Sequence, residues 1–371
     1  MTRLRVAPLA CLLLLATSLI ALPVGTAGAA GPDPLQRAGQ KVRWHHTTYS
    51  DADDVRLTAK GKVRGGKRSL QLQAKFPGGW RTFARGHSKK SGRFQVTGTL
   101  KWYGTHRVRL HAGGRHAFNR ATKVHVRPSW EPRGKAKFHG FTKTRGHRYL
   151  FNPCQVIRYQ VNDAEVGPTG RELAKQAMEQ VAWATGIKVK YAGTTKVVPF
   201  RHKRTKLRKG VDLVIAWARE DRIKQFRGTT VGGLGGPLWG RAAIARKGHR
   251  KVWLTQSAGV TLNTDQWSNG TQYPAWDGPA FTVGQVLLHE IGHAFGLRHV
   301  KKHPDQLMYP SNGLPDPDGV FRARYSRGDL AGMQQSGLAA GCVRKAYWRS
   351  RTARVAPAPI PEPMPVTTPR G

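Results

Sequence analysis

The sequence predicts two folded domains, an all-β sandwich followed by an α/β domain with a mixed sheet. Between residues 50 and 127, apolar and polar residues alternate with period two, whereas residues 151–345 combine strand-like segments with helical spacing. The chain of 371 residues is also too long for one ordinary hydrophobic core and suits two.

Residues 1–30 resemble a secretory signal peptide. A short basic start precedes an apolar run over residues 6–24, and small residues follow as far as Ala30. The apolar stretch from Leu9 to Leu22 is shorter than the roughly 20 residues that a membrane-spanning helix needs. We therefore expect the mature chain to be secreted, monomeric and without a transmembrane segment, either free outside the cell or associated with the cell wall.

The chain has three cysteines, and Cys11 would leave with the signal peptide. The remaining pair, Cys154 and Cys342, predicts a disulfide in an oxidising compartment that ties the start of the second domain to its end. In the alternative, Cys154 is a free thiol that blocks a metal, but this would leave Cys342 without a role. Loop-entropy models assign such a long closure about 4–5 kcal/mol at most.

The chain is strongly basic, with 63 Lys and Arg against 20 acidic residues and a net charge of +43. Residues 40–150 contain 27 Lys or Arg and four acidic residues. Such a field favours polyanions, and for an exported chain these are anionic cell-wall polymers, lipid headgroups or extracellular nucleic acid. A charged surface that only keeps the protein soluble is an equally good interpretation.

Residues 40–127 are predicted to form an immunoglobulin-like sandwich. Glycine-rich turns at residues 76–80 and 111–115 separate runs that bury one strand face and expose the other. The apolar positions of these runs are Leu70, Leu72, Ala74, Phe76, Phe94, Val96, Val108, Leu110, Val124 and Val126. No RNA-binding signature, helix-turn-helix or zinc knuckle is present, so we expect an accessory module with Arg and Lys on its exposed faces.

Two segments lack these patterns. Residues 128–150 contain prolines, glycines and lysines and predict an exposed basic linker. Residues 350–371 are rich in proline and predict a disordered or polyproline tail.

The second domain, residues 151–345, begins with strand and helix signals. Helical spacing over residues 168–186 starts with Pro168 and stops at Gly186, and a second helix starts near Thr282, where Gln285 completes a capping box. Strands are expected at residues 155–161, 187–193, 212–218 and 252–254.

The second helix carries the residues that predict chemistry. His289 and His293 are four residues apart and leave the same helical face, where two neutral imidazoles suit zinc. Glu290 would lie beside the open metal position and accept a proton from water. Gly296 permits a left-handed turn that brings His299 back as a third ligand. Three ligands and an open fourth position are typical of a catalytic zinc site.

The pattern is specific. From the composition of the chain, a chance match at its five fixed positions is expected on the order of once in ten thousand or less. The alternative, a solvated polar helix face, would require three histidines among neighbours that look buried. Met308, nine residues after His299, adds an independent coincidence.

The segment "HEIGHAFGLRH" resembles the zinc site of the metzincin proteases, and "LMYP" resembles the methionine turn of their matrixin branch, here of a secreted bacterial type. The resemblance extends over residues 154–342. It implies a zinc endopeptidase in which zinc activates a water molecule. The implied roles are zinc ligands for His289, His293 and His299, general base and acid for Glu290, a floor below the metal for Met308, and walls of the substrate pocket for Tyr309 and Pro310.

The resemblance also implies a protein or peptide substrate that adds as a strand to a sheet edge, for which residues 240–248 are a candidate. Neither a second zinc site nor a latency peptide with the cysteine of the family is recognisable, so one catalytic zinc is predicted. Residues 261–278 offer enough oxygen ligands for Ca²⁺, although an ordinary polar loop is the more common origin of such a composition.

Two other functions compete with the protease. In the first, the metal site is vestigial and the protein only binds polyanions or the cell wall, but no catalytic group is missing from the sequence. In the second, the chain hydrolyses peptide cross-links of a cell wall, which agrees with its charge.

Overall fold

The structure is a computed structural model, and the predicted signal peptide lies outside the residues it describes. The described residues are 42–50, 56–64, 66–113, 121–202, 204–245, 247, 250–268, 275–311, 313–345, 355–356 and 363–365. Within these ranges no helix is long and apolar enough to cross a membrane.

The N-terminal domain is built from two sheets. β1, β3 and β6 form the first, and the second has the order β2-β8-β7-β4-β5, with β2 and β8 parallel. The strands are β1 (Arg43–His45), β2 (Thr48–Ser50), β3 (Leu57–Lys62), β4 (Ser69–Phe76), β5 (Gly79–His87), β6 (Arg93–Gly98), β7 (Gly104–His111) and β8 (Thr122–Arg127).

The alternation predicted for these strands is confirmed. Phe94 and Val96 of β6 are buried in a cluster with Leu72 of β4, while Arg93 and Gln95 are exposed. Residues of both sheets contribute to this cluster, so the apolar faces pack against each other. The immunoglobulin-like topology stays a prediction.

The second domain has a mixed sheet, as predicted. Its path is β10-β11-β16-β14-β12-β13, with parallel pairs from β11 to β13, and β15 pairs antiparallel with the other edge of β16. The elements are β9 (Gly140–Phe141), β10 (Lys143–Thr144), β11 (His147–Leu150), β12 (Ile157–Asn162), α1 (Gly167–Thr185), β13 (Val189–Thr194), β14 (Leu213–Ala218), β15 (Val231–Ala245), β16 (Arg250–Asn263), α2 (Asp265–Ser268), β17 (Asp277–Gly278), α3 (Val283–Ala294), β18 (Leu297–Arg298), β19 (Phe321–Arg322), α4 (Arg327–Ser336) and β20 (Val343–Lys345).

The hairpin of β15 and β16 is much longer than the sequence predicted. The strand expected at residues 252–254 is a small part of the 14-residue β16, and β15 has 15 residues. Its first half, "VGGLGGP", has too few side chains to show an alternating pattern. The glycines are needed because α3 packs directly on this strand: an added Cβ at Gly235 would lie 2.1 Å from the backbone oxygen of Glu290.

Part of the expected linker belongs to this sheet. β11 pairs with β16, and β9 pairs with β18, so residues 140–150 are structural elements of the second domain. Tyr149 and Leu150 are fully buried, which the basic composition of the segment concealed.

The helices α1, α3 and α4 share one apolar core with the sheet. Gly186 ends α1 with φ of 70°, as its position predicted. The capping box before α3 is also confirmed: the Gln285 N–H donates to Oγ1 of Thr282 at 3.1 Å, and the Thr282 N–H donates to Oε1 of Gln285 at 2.9 Å. This cap sets the first turn of the helix that carries the histidines.

The predicted disulfide between Cys154 and Cys342 is present and joins residues 188 positions apart. It ties the start of the second domain to the segment after α4. An added Cβ at Gly78 would lie 3.8 Å from Sγ of Cys154, so the β4–β5 turn of the N-terminal domain packs on the bridge.

Aromatic residues join the two domains at a second place. The rings of Tyr103 and Trp183 lie 5.1 Å apart, and Nε2 of Gln334 donates to the Tyr103 carbonyl at 3.1 Å.

Two short segments of the proline-rich tail, which the sequence predicted to be disordered or polyproline-like, form strands: β21 (Val355–Ala356) and β22 (Met364–Pro365). Both pair antiparallel with β15.

Candidate metal centre

The helix α3 presents His289 and His293 on one face, one turn apart. Both imidazoles are buried, as is Glu290, which is fully inaccessible. A wet polar helix face, the alternative that the sequence left open, does not describe this surface.

His299 reaches the same place through a left-handed turn at Gly296, where φ is 89°. An added Cβ at this glycine would lie 2.7 Å from the Tyr149 carbonyl oxygen, so both the φ angle and the close approach of β11 favour glycine. The turn predicted between the second and third histidines is therefore confirmed.

The three imidazoles converge through their Nε2 atoms. Nε2 of His289 lies 3.0 Å from Nε2 of His299 and 3.0 Å from Nε2 of His293. One ligand atom of each ring lies within 4.8 Å of the others. Two nitrogens bound to one tetrahedral zinc at about 2.0–2.1 Å would be about 3.3 Å apart, so the spacing fits this ion closely.

Backbone carbonyls orient two of the rings from behind. Nδ1 of His289 donates to the Leu307 oxygen at 2.7 Å, and Nδ1 of His293 donates to the Leu297 oxygen at 3.0 Å. Donation from Nδ1 selects the tautomer in which Nε2 has the lone pair. Because lone pairs that face one another need a shared cation, the donor set fits zinc.

The surroundings keep the ligands neutral. Burial, reinforced by His293 and His299, lowers the pKa of His289 well below its usual value. Burial, then His293 and Lys301, lowers the pKa of His299 to about 3. Neutral imidazole is the form that binds a metal, so the site is ready for metal at neutral pH.

Glu290 lies between α3 and the glycine-rich half of β15. An added Cβ at Gly233 would lie 2.7 Å from Cγ and 3.0 Å from Oε1 of Glu290. The part of β15 that contacts this side chain therefore includes Gly233, which lies upstream of the candidate edge at residues 240–248.

Met308 is buried below the histidines. An added Cβ at Gly292, which lies between His289 and His293 on α3, would be 2.5 Å from the Met308 sulfur. Its position agrees with the floor that the resemblance implies, and its role stays a prediction. Tyr309 and Pro310 follow as half-buried residues, and their part in a substrate pocket is likewise untested.

Asp329 on α4 is a residue that the sequence reasoning missed. Its Oδ2 accepts hydrogen bonds from the N–H of Leu307 at 2.7 Å and of Ser326 at 3.0 Å, and its Oδ1 accepts one from the Met308 N–H at 3.2 Å. Because the Leu307 carbonyl orients His289, Asp329 supports the metal site through the methionine turn.

Burial outweighs these three hydrogen bonds and raises the pKa of Asp329 to about 7. In the sequence, Ser326 and Asp329 have capping-box spacing, which would have indicated a helix start but not the contact with residues 307–308.

The calcium hypothesis for residues 261–278 falls partly on residues 269–274, outside the described residues. Two of its candidate ligands are used in the fold: Oδ2 of Asp265 accepts from the Glu220 N–H at 2.7 Å, and Oδ1 of Asn263 accepts from the Asp265 N–H at 3.1 Å. Among the described residues of this segment, nothing points to calcium.

Comparison with models of protein families gives a match over the segment that contains this site. The model of the matrixin family matches residues 172–336, from α1 to the end of α4. This range contains all three histidines, Glu290, Met308 and Asp329. No curated protein matches the chain significantly.

Proposed function

We propose that the chain, a zinc metalloendopeptidase by the match of residues 172–336 to the matrixin model, is a secreted bacterial enzyme with Glu290 as general base and acid. The observation that carries this proposal is the convergence of three Nε2 atoms beside a buried glutamate on the same helix. The basic N-terminal domain would hold the enzyme on an anionic surface or polymer.

His289, His293 and His299 would hold one zinc ion, which supplies a Lewis acid that polarises the scissile carbonyl and acidifies water. The Glu290 carboxylate takes a proton from the attacking water as the water oxygen bonds to the carbonyl carbon. It then gives this proton to the amide nitrogen as the C–N bond breaks. The products are a carboxylic acid and an amine, which exchange a proton in water to become a carboxylate and an ammonium group, so no other reactant is required.

The position of β15 supports an extended substrate. One edge of this strand pairs with β16, and at Gly233 the strand touches Glu290. A peptide that adds to the other edge would run past the catalytic carboxylate, with its backbone groups paired to β15.

Exposed charge supports the role of the N-terminal domain. Lys123 and Arg127 of β8 and Arg107 of β7 lie on exposed positions of one sheet. The stretch from residue 56 to residue 127 contains no acidic residue that would offset them. Anionic polymers of a cell wall, lipid headgroups or nucleic acid all present the charge that this face would bind.

The test is Glu290→Ala in the full chain. Loss of the proton carrier should reduce cleavage of a peptide library by about 10²–10⁴-fold, while the bound zinc, measured by elemental analysis, stays at one per chain. Glu172→Ala is the matched control, because Glu172 is an exposed glutamate on α1. Cleavage by Glu290→Ala at the rate of the unmodified chain would remove Glu290 from the mechanism.

Purified cell-wall material, compared with casein, separates a general endopeptidase from a cell-wall peptide hydrolase. We expect chelator-sensitive cleavage of casein. If a chelator-sensitive activity released peptides from the wall material and did not cleave casein, the cell-wall hydrolase would be favoured.

A further inference from the structure

The outer edge of β15 is already occupied by the end of the chain. Val355–Ala356 pair with Arg241 and Gly240, and Met364–Pro365 pair with Gly233 and Val231. β16 takes the opposite edge of β15 over residues 233–245. The described tail residues thus lie where a peptide substrate would add.

The pairing of Met364 is the one next to the catalytic carboxylate. Its partner Gly233 is the residue whose added Cβ would meet Cγ of Glu290 at 2.7 Å. Paired residues of neighbouring strands are about 4.5–5.5 Å apart. The tail at Met364 is therefore one strand spacing from the residue that touches Glu290.

The two pairings have the same direction and nearly the same register. In the first, Ala356 is opposite Gly240, and in the second, Met364 is opposite Gly233. The tail advances by eight residues and β15 returns by seven. The offset of one residue is of the size that a single β-bulge introduces, so both segments are aligned on one continuous strand edge.

The tail sequence suits a strand that pairs on one side. Prolines occupy every second position from Pro357 to Pro365, in "PAPIPEPMP". In an extended chain, residues two apart direct their N–H groups to the same side, so all the donors of such a segment face one way. Proline is tolerated on edge strands for this reason, and it prevents addition of a further strand.

We infer that the outer edge of β15 is a strand-addition surface whose resident partners are the tail segments Val355–Ala356 and Met364–Pro365, and that the tail competes through them with peptide substrates for the edge. The competition rests on the proposed function, whereas the docking itself does not. The docked tail would thus keep the enzyme latent, a role for which the sequence shows no latency peptide with the cysteine of the family.

The first experiment measures docking without any cleavage. The double variant Ala356→Pro/Met364→Pro removes the backbone N–H of one paired residue in each described tail segment of the full chain, and Ala356→Ser/Met364→Leu retains both N–H groups. By hydrogen exchange, amides of residues 231–241 should exchange at least tenfold faster in the proline variant and as in the unmodified chain in the control. Equal exchange in all three chains would overturn the docking.

The second experiment measures competition by binding. A fluorescein-labelled peptide, RTARVAPAPIPEPMPVTTPRG, is titrated by anisotropy against Glu290→Ala chains with and without the two proline substitutions. Since an attached tail acts at an effective concentration on the order of millimolar, its release should tighten peptide binding at least tenfold. A peptide with its prolines moved by one position should not bind.

Unchanged peptide affinity despite faster exchange would overturn competition and leave a passive cap on the sheet edge. Because neither measurement needs turnover, absence of peptidase activity in every chain would count against the proposed function alone. With active enzyme, the same proline substitutions should lower KM for a peptide substrate about tenfold and leave kcat unchanged, which supports competition.

Discussion

The metal centre and the N-terminal domain use polar residues in opposite ways. The polar residues at the centre are almost completely buried: His289, His293, Glu290 and Asp329. Backbone carbonyls accept hydrogen bonds from the two histidines, and backbone N–H groups donate hydrogen bonds to Asp329. On the N-terminal sheets, Arg and Lys occupy the exposed positions of strands whose other face is apolar.

This difference explains why one function could be inferred and the other could not. A buried site needs particular residue types at fixed spacing, because a misplaced polar group in the interior costs several kcal/mol. An exposed charged face needs only enough charge of one sign, and many sequences provide it. The ligand of the N-terminal domain is therefore not encoded in any one residue.

The largest effect is expected from His299→Ala. Losing one of three ligands should weaken zinc binding by more than about 100-fold, since even the outer partners of zinc ligands contribute about 10–100-fold. Peptidase activity should be lost with the metal. His125→Ala, at an exposed histidine of β8 that contacts Thr105, should change neither.

Competition with a zinc indicator gives the affinity, and a peptide assay gives the activity. Equal zinc affinity in the His299→Ala chain and the unmodified chain would exclude His299 from the metal site. The buried histidines could then not be called a three-ligand metal centre, and the contrast with the exposed charge of the N-terminal domain would no longer hold.

Asp329→Ala should produce the next largest effect, on stability. The substitution leaves three N–H groups without their acceptor, the buried ones of Leu307 and Met308 and the partly buried one of Ser326. At about 1–3 kcal/mol each with partial relaxation, the free energy of unfolding should fall by about 3–5 kcal/mol. Urea unfolding measures it, with Asp318→Ala on an exposed turn as the control.

Zinc affinity should fall in the same variant, because the Leu307 carbonyl orients His289. A destabilised Asp329→Ala chain with normal zinc affinity would show that the methionine turn holds its shape without the aspartate.

The sequence predicted the metal ligands because they are local: four residues separate two of them, and one glycine turn adds the third. It also predicted α1, the capping box of α3 and the disulfide. It did not predict that Asp329, 40 residues after His289, supports the site through the turn at residues 307–308, since this depends on tertiary packing. The first half of β15 was missed because its glycines leave too few side chains to show an alternating pattern. The buried Tyr149 and Leu150 were missed because the segment around them is basic and looked like an exposed linker.

A smaller effect is expected from the double variant Cys154→Ala/Cys342→Ala. The bridge closes a loop across 188 positions, and its loss should lower the free energy of unfolding by about 2–4 kcal/mol. Neither cysteine belongs to the histidine cluster, so zinc affinity should stay within twofold. Thermal unfolding measures the loss of stability, and zinc titration measures the zinc affinity. A changed zinc affinity with unchanged stability would contradict both expectations.

The smallest effect on stability is expected on the N-terminal sheets, from Lys123→Glu/Arg127→Glu. Both residues are exposed, so the free energy of unfolding should change by at most about 0.5 kcal/mol. Affinity for polyphosphate should nevertheless fall and depend less steeply on salt, because fewer counterions are released. The charge-preserving pair Lys123→Arg/Arg127→Lys should behave like the unmodified chain. If all three chains bind polyphosphate alike, the charge on β8 serves solubility, and the contrast with the metal centre is between a functional interior and a passive surface.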